Sequence, residues 1–327
     1  MSRSSSTLLV VAAICAATGA AWYSGKLAFL YARYPDKLPL ATSEPIYHPL
    51  IIAHRGYETV APENTLPAIE AAIANQINFV EIDIRLTADG VPVIMHDSNT
   101  KRTTGHDAGI ATLSFDQVRS LDAGSWFSPE FAGTRVPTLE EALQMATGKI
   151  CIFADIKVTP TYEVISLLKA FANKAGEQCL VIGLLGNAQF EIKPGQETFF
   201  ASMDDKQRER LEERSALSRK GHAKQLVMFA RYWPGAPLTL PFRPGDSIED
   251  LLQSYPNLVA VDVPIGHLTP DLVKALHASG LWTIVKTGAR GDDTFKRVLD
   301  TGVDAIWLSN IAGLKRFLEN RAREEQN

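Results

Sequence analysis

The sequence predicts an α/β fold: a parallel (β/α)8 barrel with a small insertion, preceded by an N-terminal transmembrane helix. Three observations carry this. Eight short apolar runs suited to buried strands recur from residue 50 onward, amphipathic stretches with capping chemistry fill several of the gaps, and an uncharged apolar segment stands before the first run.

That first segment, Ser4 through Gly25, contains no charged residue, and after Lys26 the apolar character resumes in LAFLYARY. A helix of this length crosses a bilayer core, with Trp22 and Tyr23 suited to its interface. Residues 1–34 are therefore expected to form a single-pass membrane anchor. A cleavable signal peptide is the alternative, because Arg3, the apolar run and the small residues Ala20 and Ala21 fit that pattern too. The run PDKLPLATSEPIYHP, residues 35–49, is rich in proline and polar residues and is expected to be an extended linker, with the folded domain over residues 50–320.

The strand candidates are LIIA at 50, FVEIDI at 79, KICIFADI at 149, CLVIGLL at 179, QLVMFA at 225, LVAVDV at 258, LWTIVK at 281 and DAIWLS at 304. Helical patterns occupy LPAIEAAIANQ from 66, TLEEALQMA from 138, TPDLVKALHASG from 269 and DTFKRVLDTG from 293, each with turn or capping residues at an end. VPVIM at 91 is expected to pair back on FVEIDI through the ADG turn and to decorate the barrel, whereas TFFAS near 198 leaves the strand count open.

A net charge of -4 gives no electrostatic footprint for nucleic acid. The three cysteines include no Cys-x-x-Cys, which excludes the usual zinc and dithiol motifs. They read as small buried hydrophobes, with a Cys151–Cys179 disulfide permitted but not demanded.

In a parallel βα barrel, reactive groups project from the C-terminal ends of the strands. Applied here, that rule gathers His54 and Arg55 after the first strand, Glu81 and Asp83 on the second, His96 and Asp97 after the back-folded run, and Asp155 with Lys157 after the third. Glu81 and Asp83 stand two apart, so both point to one strand face inside an otherwise apolar run. Two inward carboxylates repel unless a cation or a proton intervenes. A hard divalent cation, Mg²⁺ or Ca²⁺, with Asp155 as a third oxygen donor, meets that need; a solvated pair at a strand end is the plainer alternative. His54 and His96 suit an acid–base pair because imidazole titrates near neutrality. Arg55 and Lys157 are cations suited to phosphate oxygens, so the set suggests chemistry at an anionic phosphorus centre.

HRGYETVAPENT, FVEIDIRLTADGVPVIMHD, RTTG, LDAGSWF and VPTLEEAL, in that order, resemble the signature series of the glycerophosphodiester phosphodiesterase family. The resemblance covers most of residues 50–160, with a weaker echo in GLWTIVK and GVDAIWL. It implies a TIM barrel and metal-dependent hydrolysis of a glycerophosphodiester to glycerol 3-phosphate and an alcohol. Carried over residue by residue, it implies His54 and His96 as general acid and base, Arg55 as phosphate clamp, and Glu81 with Asp83 as metal ligands. It also puts Glu63 among the carboxylates of the metal site and Asn64 in a loop-fixing role. Three positions depart from the family pattern: Asp155 stands where Glu is usual, Lys286 where Asn is common, and WLSN at 307 where the ending is usually Thr-Asp.

Two stretches bear on substrate and partners. RYWPGAPLTLPFRPG at 231 carries Trp233, Leu238, Leu240 and Phe242, which at a barrel mouth beside a membrane would contact acyl chains and favour lysophospholipids; otherwise they pack on the barrel's own helices. DDKQRERLEERSALSRKGHAK from 204 mixes charge signs at helical spacing and is expected to be a solvated helix. The alternatives to the diester hydrolase are a lysophospholipase D or cyclising phospholipase, and a membrane-tethered binding protein with a silent site.

Overall fold

The computed structural model describes residues 49–176, 179–184, 224–243, 245–288 and 291–325. Its strands are β1 (Leu50–Ala53), β2 (Phe79–Leu86), β3 (Pro92–Ile94), β4 (Cys151–Ile156), β5 (Leu180–Gly183), β6 (Leu238–Pro241), β7 (Leu258–Asp262), β8 (Trp282–Lys286) and β9 (Ala305–Leu308). All except β3 pair in parallel with both neighbours, and β1 closes the ring by pairing with β9 on one side and β2 on the other. The result is a closed eight-stranded parallel barrel, as the βα alternation predicts.

Alternation along each strand sorts side chains between two cores. Ile52, Phe79, Phe153, Val181, Ala260, Ile284, Ala305 and Trp307 fill the barrel interior. The intervening residues, such as Val80, Ile82, Ile152 and Ala154, face the surrounding helices and pack with Ile69, Leu143 and Leu168. The helices start where their caps dictate. Thr65, Thr138 and Thr269 accept backbone N–H bonds from their first turns, Glu141 completes a capping box with Thr138, and proline stands in the first turn after Thr65 and Thr269.

β3 runs antiparallel to β2, pairing Ile84 with Ile94 and Leu86 with Pro92, so VPVIM does fold back on the second strand. The chain between β3 and the helix Leu139–Ala146 forms the small insertion, which has its own core of Val93, Met95, Ile110, Leu113, Val118, Ala123 and Val136.

The fifth barrel strand, β6, differs from expectation. QLVMFA lies in a helix over 224–232, and the barrel strand is the following Leu238–Pro241. Gln225, Phe229 and Trp233 are buried while Val227 is exposed, a spacing of four that belongs to a helix. This shift also places Trp233, Leu238, Leu240 and Phe242 in the core shared by barrel and helices, so their apolar surface serves packing. Cys151, which opens β4, and Cys179, just before β5, are joined as a disulfide with their Cα atoms 4.3 Å apart.

The expected anchor, the expected linker except Pro49, TFFAS, and all of the mixed-charge stretch except Lys224 lie outside the described residues. Among the described residues, no helix is long and apolar enough to cross a membrane.

Candidate active site

The C-terminal end of β2 and the neighbouring β4 supply a cluster of acid. Phe79, Glu81 and Asp83 share the inward face of β2, and the register sets Asp83 opposite Asp155 on β4. All three carboxylates are buried, and one oxygen from each falls within 4.8 Å of the others. Lys157 is the cation among them, with its Nζ 3.0 Å from Asp83 Oδ1 and hydrogen-bonded to Asp155.

Lys157 and Arg55, whose Nε lies 3.7 Å from Asp83 Oδ2, are two positive charges against three carboxylates, and the surplus is unevenly shared. Burial raises Asp83, but Lys157, His96, Arg55 and the Asn64 amide outweigh it and hold that carboxyl far below its usual range. Burial, with Asp83 and Asp155 beside it, pushes Glu81 well up. Asp155 is pushed up to about 6, chiefly by burial, with Lys157 opposing. Asp155 Oδ1 is buried without a hydrogen-bond partner. An all-oxygen donor set with excess negative charge and a free buried oxygen fits a hard divalent cation.

The loop after β1 braces this cluster from the side. Arg55 adopts a left-handed backbone, φ 52°, and donates its N–H to Glu81 Oε2 at 2.6 Å. Gly56, at φ 85°, donates to the Glu81 carbonyl at 3.1 Å. Asn64, also left-handed, gives its Nδ2 to Asp83 Oδ2 at 2.7 Å and accepts the Asp83 N–H at 3.0 Å. The loop-fixing expectation for Asn64 thus acquires a specific target, the second carboxylate. Strained non-glycine residues held by such bonds are a mark of functional sites.

Glu63 faces two arginines: its oxygens accept from Arg55 Nη1 at 3.0 Å and from both terminal nitrogens of Arg102 at 2.7 Å, and Arg55 links it to Asp83, with Nε 3.7 Å from Asp83 Oδ2. The position is that of an anion fixing two arginines.

Each histidine is tied to a carboxylate through Nδ1. His54 Nδ1 lies 2.7 Å from Glu58 Oε1, and Ser309, just past β9, donates its hydroxyl to the same carboxylate. The His54 ring meets Trp307 edge-on at 5.9 Å, and burial lowers its pKa, with the Glu58 bond offsetting part of the effect. His96 Nδ1 lies 2.7 Å from Asp97 Oδ1, and Arg102 Nε donates to the other oxygen of Asp97 at 2.6 Å. Across the barrel, Lys286 Nζ sits 4.2 Å above the Trp307 ring, and burial pushes Asp262 up to about 6.

His54, Arg55, Glu81, Asp83, His96, Asp155 and Lys157 therefore gather at one end of the barrel, as their strand-end positions require. Glu58, Arg102, Asp262, Trp307 and Ser309 join them; they lie within HRGYETVAPENT, RTTG, LVAVDV and WLSN, but residue type and spacing there assign them no role of their own.

A model of the Glycerophosphoryl diester phosphodiesterase family matches residues 54–312. The chain belongs to this family. Glycerophosphodiester phosphodiesterase 1 of Mus musculus is 41% identical over 132 residues, which are 39% of this chain and 40% of the relative. Glycerophosphodiester phosphodiesterase of Caldanaerobacter subterraneus is 38% identical over 100 residues, 31% of this chain and 41% of the relative. The chain thus spans less than half the length of these curated relatives. Two solved structures share the fold. A glycerophosphodiester phosphodiesterase from Agrobacterium tumefaciens has a TM-score of 0.63 at 21% identity, with 82% of this chain and all (100%) of that one covered. An Oleispira antarctica phosphodiesterase in complex with the product sn-glycerol-3-phosphate has a TM-score of 0.63 at 22% identity, covering 83% and 97%.

Proposed function

We propose that this family member is a divalent-metal-dependent phosphodiesterase that hydrolyses glycerophosphodiesters to glycerol 3-phosphate and an alcohol. The observation that carries it is the buried Glu81, Asp83 and Asp155 group, three carboxylates against the two cations Arg55 and Lys157, flanked by two imidazoles each bonded to a carboxylate. These three side chains would hold Mg²⁺ or Ca²⁺, which when bound supplies Lewis-acid charge for the phosphoryl oxygens.

The chain's own groups do the rest. Arg55 and Lys157 bring fixed positive charge to either side of Asp83 and are the cations placed to bind phosphate oxygens. His54 and His96 exchange the protons, one taking the proton of the attacking oxygen nucleophile and the other protonating the leaving alcohol; such steps contribute about 10²- to 10⁴-fold each. Burial of Trp233, Leu238, Leu240 and Phe242 removes the apolar surface that would favour an acylated lysophospholipid, which supports the deacylated diester as substrate. The uncharged Ser4–Gly25 segment supports a membrane anchor or signal segment ahead of the barrel.

Incubation with glycerophosphocholine and, separately, lysophosphatidylcholine, with release of glycerol 3-phosphate and of choline followed for each, tests this directly. Glycerol 3-phosphate from the first substrate is expected. Turnover confined to the lysophospholipid would overturn the substrate assignment.

A further inference from the structure

We propose that Glu58, steadied by the Ser309 hydroxyl, is the positioning residue that holds His54 with Nδ1 as hydrogen donor and Nε2 as the reactive nitrogen. This rests on the functional proposal above for its kinetic consequence, but not for the ring geometry.

The two imidazoles of the site are not equivalent. Asp97, the partner of His96, takes a charged hydrogen bond from Arg102, so its negative charge is divided between the imidazole and a guanidinium. Glu58 is bonded by His54 and by a neutral hydroxyl, so its charge stays directed at the imidazole. The clamp is built from two ends of the chain that meet at the closure of the barrel. His54 and Glu58 come from the loop after β1, Ser309 follows β9, and the His54 N–H bonds the Leu308 carbonyl at 3.3 Å across that seam.

A carboxylate on Nδ1 selects one tautomer and orients the ring, and it stabilises the imidazolium once Nε2 has taken a proton. His54 needs this help. The charged groups that act on it are Arg55 from its own loop and Lys286 from β8, both of which disfavour a positive ring, and Glu58, which favours it. From β9 the ring meets Trp307 and the Ser309 hydroxyl, which carry no charge. Glu58 is therefore the group that makes proton uptake by this buried imidazole feasible. Ser309 Oγ lies 3.4 Å from His54 Nδ1, so a carboxylate placed at that position has access to the same nitrogen.

The test combines kinetics with proton–nitrogen correlation spectra of the imidazole rings, the His54 signals being assigned with a His54→Gln variant. In Glu58→Gln, kcat is expected to fall about 10- to 100-fold while KM changes by less than about threefold. The pH limb that reports His54 should move about one unit toward acid, because the imidazolium loses its anion. Spectra of the wild type should show the Nδ1–H tautomer, and the variant should lose its dominance. Glu58→Gln combined with Ser309→Asp should regain most of the rate and move the limb back, which a merely structural role for Glu58 would not produce. An unchanged tautomer and unchanged His54 titration in Glu58→Gln would overturn the proposal. If the wild-type chain cleaved no glycerophosphodiester, the functional proposal would fall alone, and the ring spectra would still decide the role of Glu58.

Discussion

Asp155→Asn should make the metal-free protein more stable while destroying its capacity for a divalent cation. Asp155 is fully buried, and its carboxyl is pushed from 3.8 up to about 6, chiefly by burial, with Asp83 adding to the rise and Lys157 opposing it. A group whose folded pKa is raised stabilises the fold below its unfolded pKa, and that contribution is lost as pH rises through the folded value. The relevant window therefore runs from about pH 4 to pH 7. The shift of about two units corresponds to about 3 kcal/mol against the ionised form at pH 7.5. Asparagine carries no charge and keeps a carbonyl for Lys157, which still has Asp83 at 3.0 Å. In EDTA at pH 7.5 the variant should melt roughly 6–12 °C above wild type, and at pH 4.5 the gap should shrink to about 1 kcal/mol. Mg²⁺ or Ca²⁺ in large excess should reverse the order, since a ligand at about a thousand times its Kd adds about 4.1 kcal/mol to the protein that binds it. Scanning calorimetry over this pH range, with and without cation, measures all of this. A variant less stable than wild type in EDTA at pH 7.5 and still raised by cation as wild type is would refute the electrostatic account of the cluster.

Other outcomes follow from the same geometry. His54→Ala and His96→Ala should each lower kcat about 10²- to 10⁴-fold with the melting curve preserved; full metal-dependent turnover in both folded variants would remove them from the chemistry. Arg102→Ala leaves Glu63, whose side chain is 7% exposed, with Arg55 as its remaining arginine. Because Arg102 itself is 43% exposed, urea denaturation should show a loss of only about 2 kcal/mol, and Arg102→Lys, lacking the fork, should recover little of it. Gly56→Ala places a Cβ 2.5 Å from Ala68 Cβ at a φ of +85°, so a loss of about 3 kcal/mol is expected in the same measurement, with cation binding weakened through the loop that holds Glu81.

The barrel was legible wherever an apolar run had one length and one meaning. LIIA, FVEIDI, KICIFADI, CLVIGLL, LVAVDV, LWTIVK and DAIWLS all contain barrel strands. QLVMFA failed because a short apolar run fits a buried strand and a helix face equally, and only the buried spacing of Gln225, Phe229 and Trp233 separates them. The true fifth barrel strand, LTLP, is brief and ends in proline, a residue that ordinarily argues against a central strand. In the site, Glu81, Asp83 and Asp155 were readable because charge inside an apolar strand needs a reason. Glu58 was not, because an acid four residues past a histidine in a loop is ordinary until Ser309, 251 positions later, closes on it. Glu63 shows the opposite limit: a family motif identifies the residue, but its arginine partners come from three-dimensional placement.

The most direct test of the central claim is a cation titration of EDTA-stripped protein in which hydrolysis of glycerophosphocholine and thermal stability are followed together. The structure predicts that both rise over the same range of Mg²⁺ or Ca²⁺ concentration, and that neither responds in a Glu81→Gln, Asp83→Asn variant. Undiminished release of glycerol 3-phosphate from the stripped protein, or from that variant, would contradict a metal-dependent reaction at this carboxylate cluster.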